Sequence, residues 1–202
     1  TDSKKKESKL SYEGFSDSNF IFKLFYIFLS ILKLKPIQLG FFYSPKIKKY
    51  VKDNYKNYDL LFFQSFRTAQ YLPNDPNLKT ILDMGDLTSD NYHQTSKRLS
   101  FFNLKKIIYA IEYQFLKRYE NFCFRKFTKI LMFSKKEIGM VKKEYRKKIE
   151  QIFYGVASIK KKYKFNQKNY KIIFIGNIKY TPNKKACYEF TNYVLPLIYK
   201  KF

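Results

Sequence analysis

The chain has 202 residues, 45% of them hydrophobic and 28% charged, which supplies a core and excludes an intrinsically disordered protein. Two cysteines, Cys123 and Cys187, exclude a disulfide framework and a cysteine-rich zinc site, and they fit a reducing cytoplasm. The formal charge of +25 points first to nucleic acid, yet only five of the 41 basic residues are arginine, on which base readout leans. Abundant Lys beside Phe, Tyr, Ile and Asn is also what an AT-rich coding sequence would produce. The same lysines would attract anionic lipid at about 1 kcal/mol each. Peripheral contact with an anionic membrane is therefore expected, and nucleic acid is not.

Residues 1–18 are polar and open the chain loosely. The run from Asn19 to Leu32 is apolar on almost every side but shorter than the roughly 20 residues of a membrane span, and it carries Lys23. A helix buried in the core or lying on a membrane surface is expected. Pro36 ends it. Ile37 to Phe42 alternates well enough for a strand. Ser44-Pro45 is a helix start, with serine as cap and proline in the first turn, and a basic amphipathic helix should follow to about Lys56.

Tyr58 to Phe63 is a continuous apolar run, as in a strand covered on both faces. Ser65 to Tyr71 is a short helix or loop, and Pro73, Asp75 and Pro76 make a turn. Ile81-Leu82 then climbs to Asp83, turns at Gly85 and leaves through Asp86 towards helix-start residues. From Leu104, the positions Ile107, Ile108, Ile111, Phe115, Tyr119 and Phe122 fall on one helix face. Off that stripe, Glu112 and Glu120 are expected in surface ion pairs. Thr128 to Phe133 is another buried strand. Ser134 with Glu137 is a capping box, and Glu150 to Val156 is a strand ending at a glycine turn.

Residues 157–169 are lysine-rich and form a linker. The alternation then restarts with a strand at 171–175, the turn Gly176-Asn177, and a helix from Pro182. Strands alternating with helices predict an α/β fold, a Rossmann-like parallel sheet with helices on both faces. The expected organisation is a domain over 1–156, the linker, and the first strand and helix of a second Rossmann-like domain over 170–202. Both ends read as cut, so the chain is taken as a segment of a longer protein.

The order of these pieces resembles the GT-B glycosyltransferases of family 4, two facing Rossmann-like domains, and within them a bacterial subgroup that builds cell-surface and exported polysaccharides. The resemblance is carried by Tyr58-Asp59-Leu60-Leu61, by Ser65-Phe66-Arg67-Thr68-Ala69, and by Leu82 through Tyr92. Further on it is carried by Glu112 with Arg118-Tyr119-Glu120, by Phe133-Ser134, by Tyr154-Gly155-Val156, and by Phe174 through Asn183 with Ala186. It covers about residues 36 to 198. It implies transfer of a sugar from a nucleotide-sugar donor to a glycan or lipid-linked acceptor, with retention and without an obligatory metal or other cofactor. The first domain would hold the acceptor and the second the donor. The glycine-rich first loop and the donor-holding basic pair and glutamates of the family would lie outside residues 1–202, so the segment alone is expected to be inactive. Tyr154 stands where the family often has Asn.

Spacing alone leaves Asp83 and Asp86 open between substrate carboxylates and a strand end with a helix cap. The resemblance favours acceptor binding, Asp86 foremost, and assigns no catalytic base. Arg67, just past a strand end, could fork onto a phosphate of donor or lipid-linked acceptor. Gly176 and Asn177, with Lys179 and Tyr180 on the same turn, are the donor-side candidates, because a strand-to-helix turn lets backbone N–H groups approach a diphosphate. No metal site is expected. His93, the only histidine, has no serine or cysteine partner in view and reads as a polar surface residue.

Overall fold

Short apolar runs between turn residues become strands β1 (Leu60–Gln64), β2 (Lys79–Gly85) and β3 (Lys129–Met132), and the short β4 is Ile149–Gln151. The four form one all-parallel sheet in the order β1-β2-β3-β4. The molecule is thus an α/β protein. This is a computed structural model that describes residues 20–153, 155 and 172–201, and the chain divides into units 1–155 and 156–202. The polar opening segment, the lysine-rich linker, Tyr154 and Val156 lie outside the described residues.

Register shows which way the strands face. Phe63 pairs with Leu82 and Leu82 with Ile130, and all three are buried. They pack with Leu116, Cys123 and Phe124 of helix α5 (Leu104–Lys126) and with Phe127 behind it, whose ring meets Phe63 at 5.2 Å. The alternate positions face the other way and are far more open. Leu60, Phe62, Lys79, Lys129 and Glu150 are exposed, with Lys129 and Glu150 paired at 3.3 Å. Two expectations change here. Among the described residues the sheet is covered on one face, and β1 is an edge strand whose second face is bare.

Before the sheet come α1 (Phe20–Leu32), α2 (Ile37–Phe41) and α3 (Pro45–Asn54). Ser44 caps α3 as expected, its hydroxyl accepting from the Ile47 N–H at 3.4 Å. The expected strand at 37–42 is instead the helix α2. The cause is Glu112, whose carboxylate accepts the Ile37 and Gln38 N–H groups at 2.9 and 3.5 Å and so satisfies a helix start that follows Pro36. Helix α1 is not in the core either, since most of its large apolar side chains are exposed. Among the described residues no helix is long and apolar enough to cross a membrane.

Between β2 and β3 run α4 (Thr88–Arg98) and α5, and between β3 and β4 run the short α6 (Lys135–Met140) and α7 (Lys143–Arg146). The stripe read along α5 is the wrong face over its first half. Leu104, Ile107, Ile108 and Ile111 are exposed, whereas Glu112, Leu116, Tyr119, Glu120, Cys123 and Phe124 are buried. The capping box at Ser134 is half formed. Its hydroxyl accepts from the Glu137 N–H at 3.3 Å, but the Glu137 carboxylate turns away to the Leu87 N–H at 3.3 Å.

In the second unit, residues 172–175 are exposed, and among the described residues they form no strand, although one was expected over 171–175. A helix does follow: α8 (Thr181–Glu189), a π-helical turn over Phe190–Val194, and α9 (Leu195–Lys201).

Candidate functional site

The carboxyl ends of β1, β2 and β3 lie side by side, and in parallel sheets this edge is where ligands bind. Two left-handed residues shape it. Ser65 leaves β1 at φ 71° while its N–H donates to the Asp83 carbonyl at 2.8 Å. Gly85 ends β2 at φ 70°, and a Cβ there would sit 3.1 Å from the Phe133 ring. Glycine is therefore favoured at the β2 turn by the backbone, and a larger residue would also have to shift the Phe133 ring.

Arg67 follows Ser65 and is half-buried. Its Nε donates to the Gln38 side-chain carbonyl at 2.9 Å, and the guanidinium stands over the rings of Phe42 and Phe66 at 4.9 and 5.2 Å. Gln38 in turn donates its amide to the Tyr92 hydroxyl at 2.9 Å, and its backbone N–H is held by Glu112. Tyr92 is pushed above its usual range first by burial, then by the charges of Glu112 and Tyr109. Among the described residues no carboxylate pairs with Arg67. The cation is oriented by one neutral carbonyl and two ring faces, none of which neutralises its charge.

Asp83 and Asp86 do not join that network. Asp83 lies on the open face of the sheet opposite Leu131, with one carboxylate oxygen buried and without a hydrogen-bond partner among the described residues. Asp86 is exposed and makes no hydrogen bond or ion pair among them. It does not cap α4, whose start is served from elsewhere. Glu120, 3% exposed, accepts the Ser89 N–H at 2.9 Å and the Ser89 hydroxyl.

Glu112 and Glu120 are thus not surface ion pairs, as read from the sequence, but buried acceptors for two helix starts. Burial raises the pKa of both. Glu120 is pushed up to about 7, the Ser89 hydrogen bonds opposing the shift and the charges of Glu137 and Asp90 adding to it. Glu137 is also raised, first by burial and then by Asp86 and Asp90, against the Leu87 N–H. Four acidic groups, Asp86, Asp90, Glu120 and Glu137, therefore share one electrostatic neighbourhood at the start of α4.

Beside them is a cavity of about 280 Å³, close to the lower size of ligand pockets. Asp90, Lys117, Asn121 and Lys142 give it hydrogen-bond donors and acceptors, Ser89 and Glu120 line it while bonded to each other, and Leu87, Phe124 and Met140 supply apolar wall. Sequence reading missed Gln38, Tyr92, Glu112, Glu120 and Lys117. The family resemblance ran through Tyr92, Glu112 and Glu120 without giving them a role in the site.

His93 stacks on Tyr113 at 4.5 Å and meets no nucleophile, and Cys123 is buried in the core, its thiol pushed up by that burial. Among the described residues no group of three or more His, Cys, Asp or Glu side chains could hold a metal ion.

The donor-side candidates sit in the second unit. The Asn177 side chain accepts the Lys179 N–H at 2.9 Å, and its carbonyl accepts the Tyr180 N–H at 3.0 Å and the Asn183 amide at 3.1 Å. Gly176 is confined, a Cβ there meeting Asn183 and the Phe174 ring at 3.0 Å. Gly176, Asn177, Lys179 and Tyr180 are all exposed, in the turn leading to α8.

Protein-family models, curated proteins and solved structures offer no match to the chain. Its class therefore rests on the fold, an α/β protein with a four-stranded, all-parallel sheet.

Proposed function

We propose that the chain is part of a glycosyltransferase, GT-B in fold and family 4-like, that moves a sugar from a nucleotide-sugar donor to a glycan or lipid-linked acceptor in the making of bacterial cell-surface or exported polysaccharide. The observation that carries this reading is the cavity beside the end of β2, whose wall is mainly apolar and is edged by charged and amide side chains. A polyhydroxylated ligand needs both acceptors and donors, and Asp90 stands there with Lys117, Lys142 and Asn121. Asp86, exposed, without a partner among the described residues and one residue from the cavity wall, is the residue to receive an acceptor hydroxyl. Arg67 receives a phosphate of a lipid-linked acceptor, and the turn Gly176 to Tyr180 receives the donor diphosphate. The reaction is placed in the cytoplasm, at the inner face of the cell membrane, with retention and no obligatory metal.

Two measurements test it. Calorimetry with a prenyl-diphosphate sugar should show binding that Arg67→Ala weakens roughly tenfold or more, as loss of a charge-assisted phosphate contact does. Release of nucleoside diphosphate from a panel of nucleotide sugars, by the protein together with its flanking sequence, should fall on Asp86→Ala. Absence of transfer with every donor, together with anion binding indifferent to Arg67, would sink the reading. Binding that tracks nucleic acid and collapses steeply with salt would replace it with a basic binding module.

A further inference from the structure

Helix α1 presents the wrong side to the protein. The side turned inward carries Lys23, Tyr26, Ile27, Leu29 and the buried Ser30, while Phe22, Phe25, Phe28, Ile31 and Leu32 point out, Phe22 being 61% exposed and Phe28 57%. Burying the most apolar side would have turned the phenylalanines inward, and the contact with α2 explains why they are not. A Cβ on Gly40 would lie 2.3 Å from the Tyr26 carbonyl oxygen, so the two backbones touch where residue 40 has no side chain. Tyr26 packs on Tyr43 at 4.6 Å between ring centroids, and the Lys23 ammonium stands 5.0 Å over the Phe41 ring. These contacts use the side of α1 that carries Lys23, Tyr26 and Ser30 and leave the phenylalanine side facing water.

The end of the helix repeats the pattern. The Leu34 N–H donates to the Ile31 carbonyl at 2.9 Å and the Lys35 N–H to the Ser30 carbonyl at 2.8 Å, a helix-ending motif whose left-handed position favours glycine. Leucine occupies it at φ 52° and is 51% exposed. A residue held in an unfavourable backbone conformation in order to show an apolar side chain to solvent signals a use for that side chain.

Charge identifies the use. Helix α1 contains no acidic residue, and Lys33, Lys35 and Lys48 gather at its carboxyl end. Lys35 is held below its ordinary range first by burial and then by the charges of Lys33 and Lys48. An anionic counterpart would relieve that repulsion. With 13 residues the helix is about 20 Å long, too short to span a bilayer and long enough to lie along one.

We propose that α1, with Leu34, docks flat on an anionic lipid bilayer, its Phe and Leu side chains in the acyl boundary and Lys33, Lys35 and Lys48 among the headgroups. The proposal deepens the membrane contact of the preceding reading. Its test uses no donor or acceptor, so sugar transfer and lipid docking can fail separately.

The test is co-sedimentation of the whole chain with vesicles. Phosphatidylcholine vesicles containing 30% phosphatidylglycerol, a fraction of about 0.3 that mimics an anionic leaflet, should bind roughly tenfold or more tighter than pure phosphatidylcholine. Phe25→Glu with Phe28→Glu should weaken binding about a hundredfold at unchanged helix content. Leu34→Gly is the sharper variant. It should raise the melting temperature or leave it unchanged, yet weaken vesicle binding about three- to tenfold. Equal binding to both vesicle types, or indifference to the Phe25 and Phe28 changes, overturns the proposal. So does a dimer that those changes disperse while vesicles are not bound, which would assign the face to a second copy.

Discussion

Helices α1 and α5 break the rule of apolar inside and polar outside in opposite directions. Helix α1 turns its phenylalanines to solvent, and α5 buries two glutamates, Glu112 and Glu120, at 2% and 3% exposure. In both cases the backbone decides. Glu112 and Glu120 go inside because the starts of α2 and α4 present N–H groups that have no partner within their own helices. Helix α1 turns its aromatic side out because Gly40 fits the backbone at Tyr26. Side-chain hydropathy yields wherever a backbone group sets a harder condition.

Substitutions along these helices can break that comparison. The largest loss belongs to Leu116→Ala, between the two glutamates and fully buried, which should cost about 3–5 kcal/mol in chemical unfolding. Gly40→Ala should cost about 2–3 kcal/mol, because the added methyl meets backbone atoms that can only move by shifting α1. Hydrogen exchange should then rise in α1 while β2 and β3 stay protected.

Glu120→Ala should cost about 2–3 kcal/mol, since it leaves the Ser89 N–H and hydroxyl buried without acceptors. Its pH dependence has a definite sign. Burial holds the folded Glu120 at about 7, above the roughly 4.3 of an unfolded chain, so the folded protein binds the proton more tightly. The stability this contributes is complete below about pH 4.3 and is lost as the pH rises through the folded value. Glu120→Gln, permanently neutral, should therefore gain in melting temperature on the wild type as pH rises from about 5 to about 8. A constant difference across that range would mean that Glu120 is ionised throughout.

The smallest effect belongs to Ile108→Ala, on the same helix as Leu116 but exposed, with a change under about 0.5 kcal/mol. A loss comparable to that of Leu116→Ala would restore the stripe read from the sequence as the packed face.

What the sequence disclosed was local. Runs such as Ile130 to Met132, bounded by turn residues, are recognisable as strands, and Ser44-Pro45 marks the start of α3 without any tertiary help. The positions of Arg67, Asp83 and Asp86 at strand ends were legible for the same reason. Ile37 to Phe41 was not, because the acceptor that makes it a helix is Glu112, 75 positions away in the chain for Ile37. The periodicity of α5 misled because isoleucines define a stripe whether or not anything packs on it. Residues 172–175 carry a strand's composition, but pairing needs a neighbour, and composition does not supply one. At the candidate site the cation was visible in sequence, while Gln38, Tyr92 and the two rings that hold it were not.

The four strands ascend in one direction, so each connection winds over the sheet in the same sense. A strand laid beside the bare edge of β1, with its connection over the open face, would reverse the winding at that point. Open parallel sheets form their ligand crevice where the winding reverses. In this sheet that crevice would open at the end of β1, directly over Ser65 and Arg67.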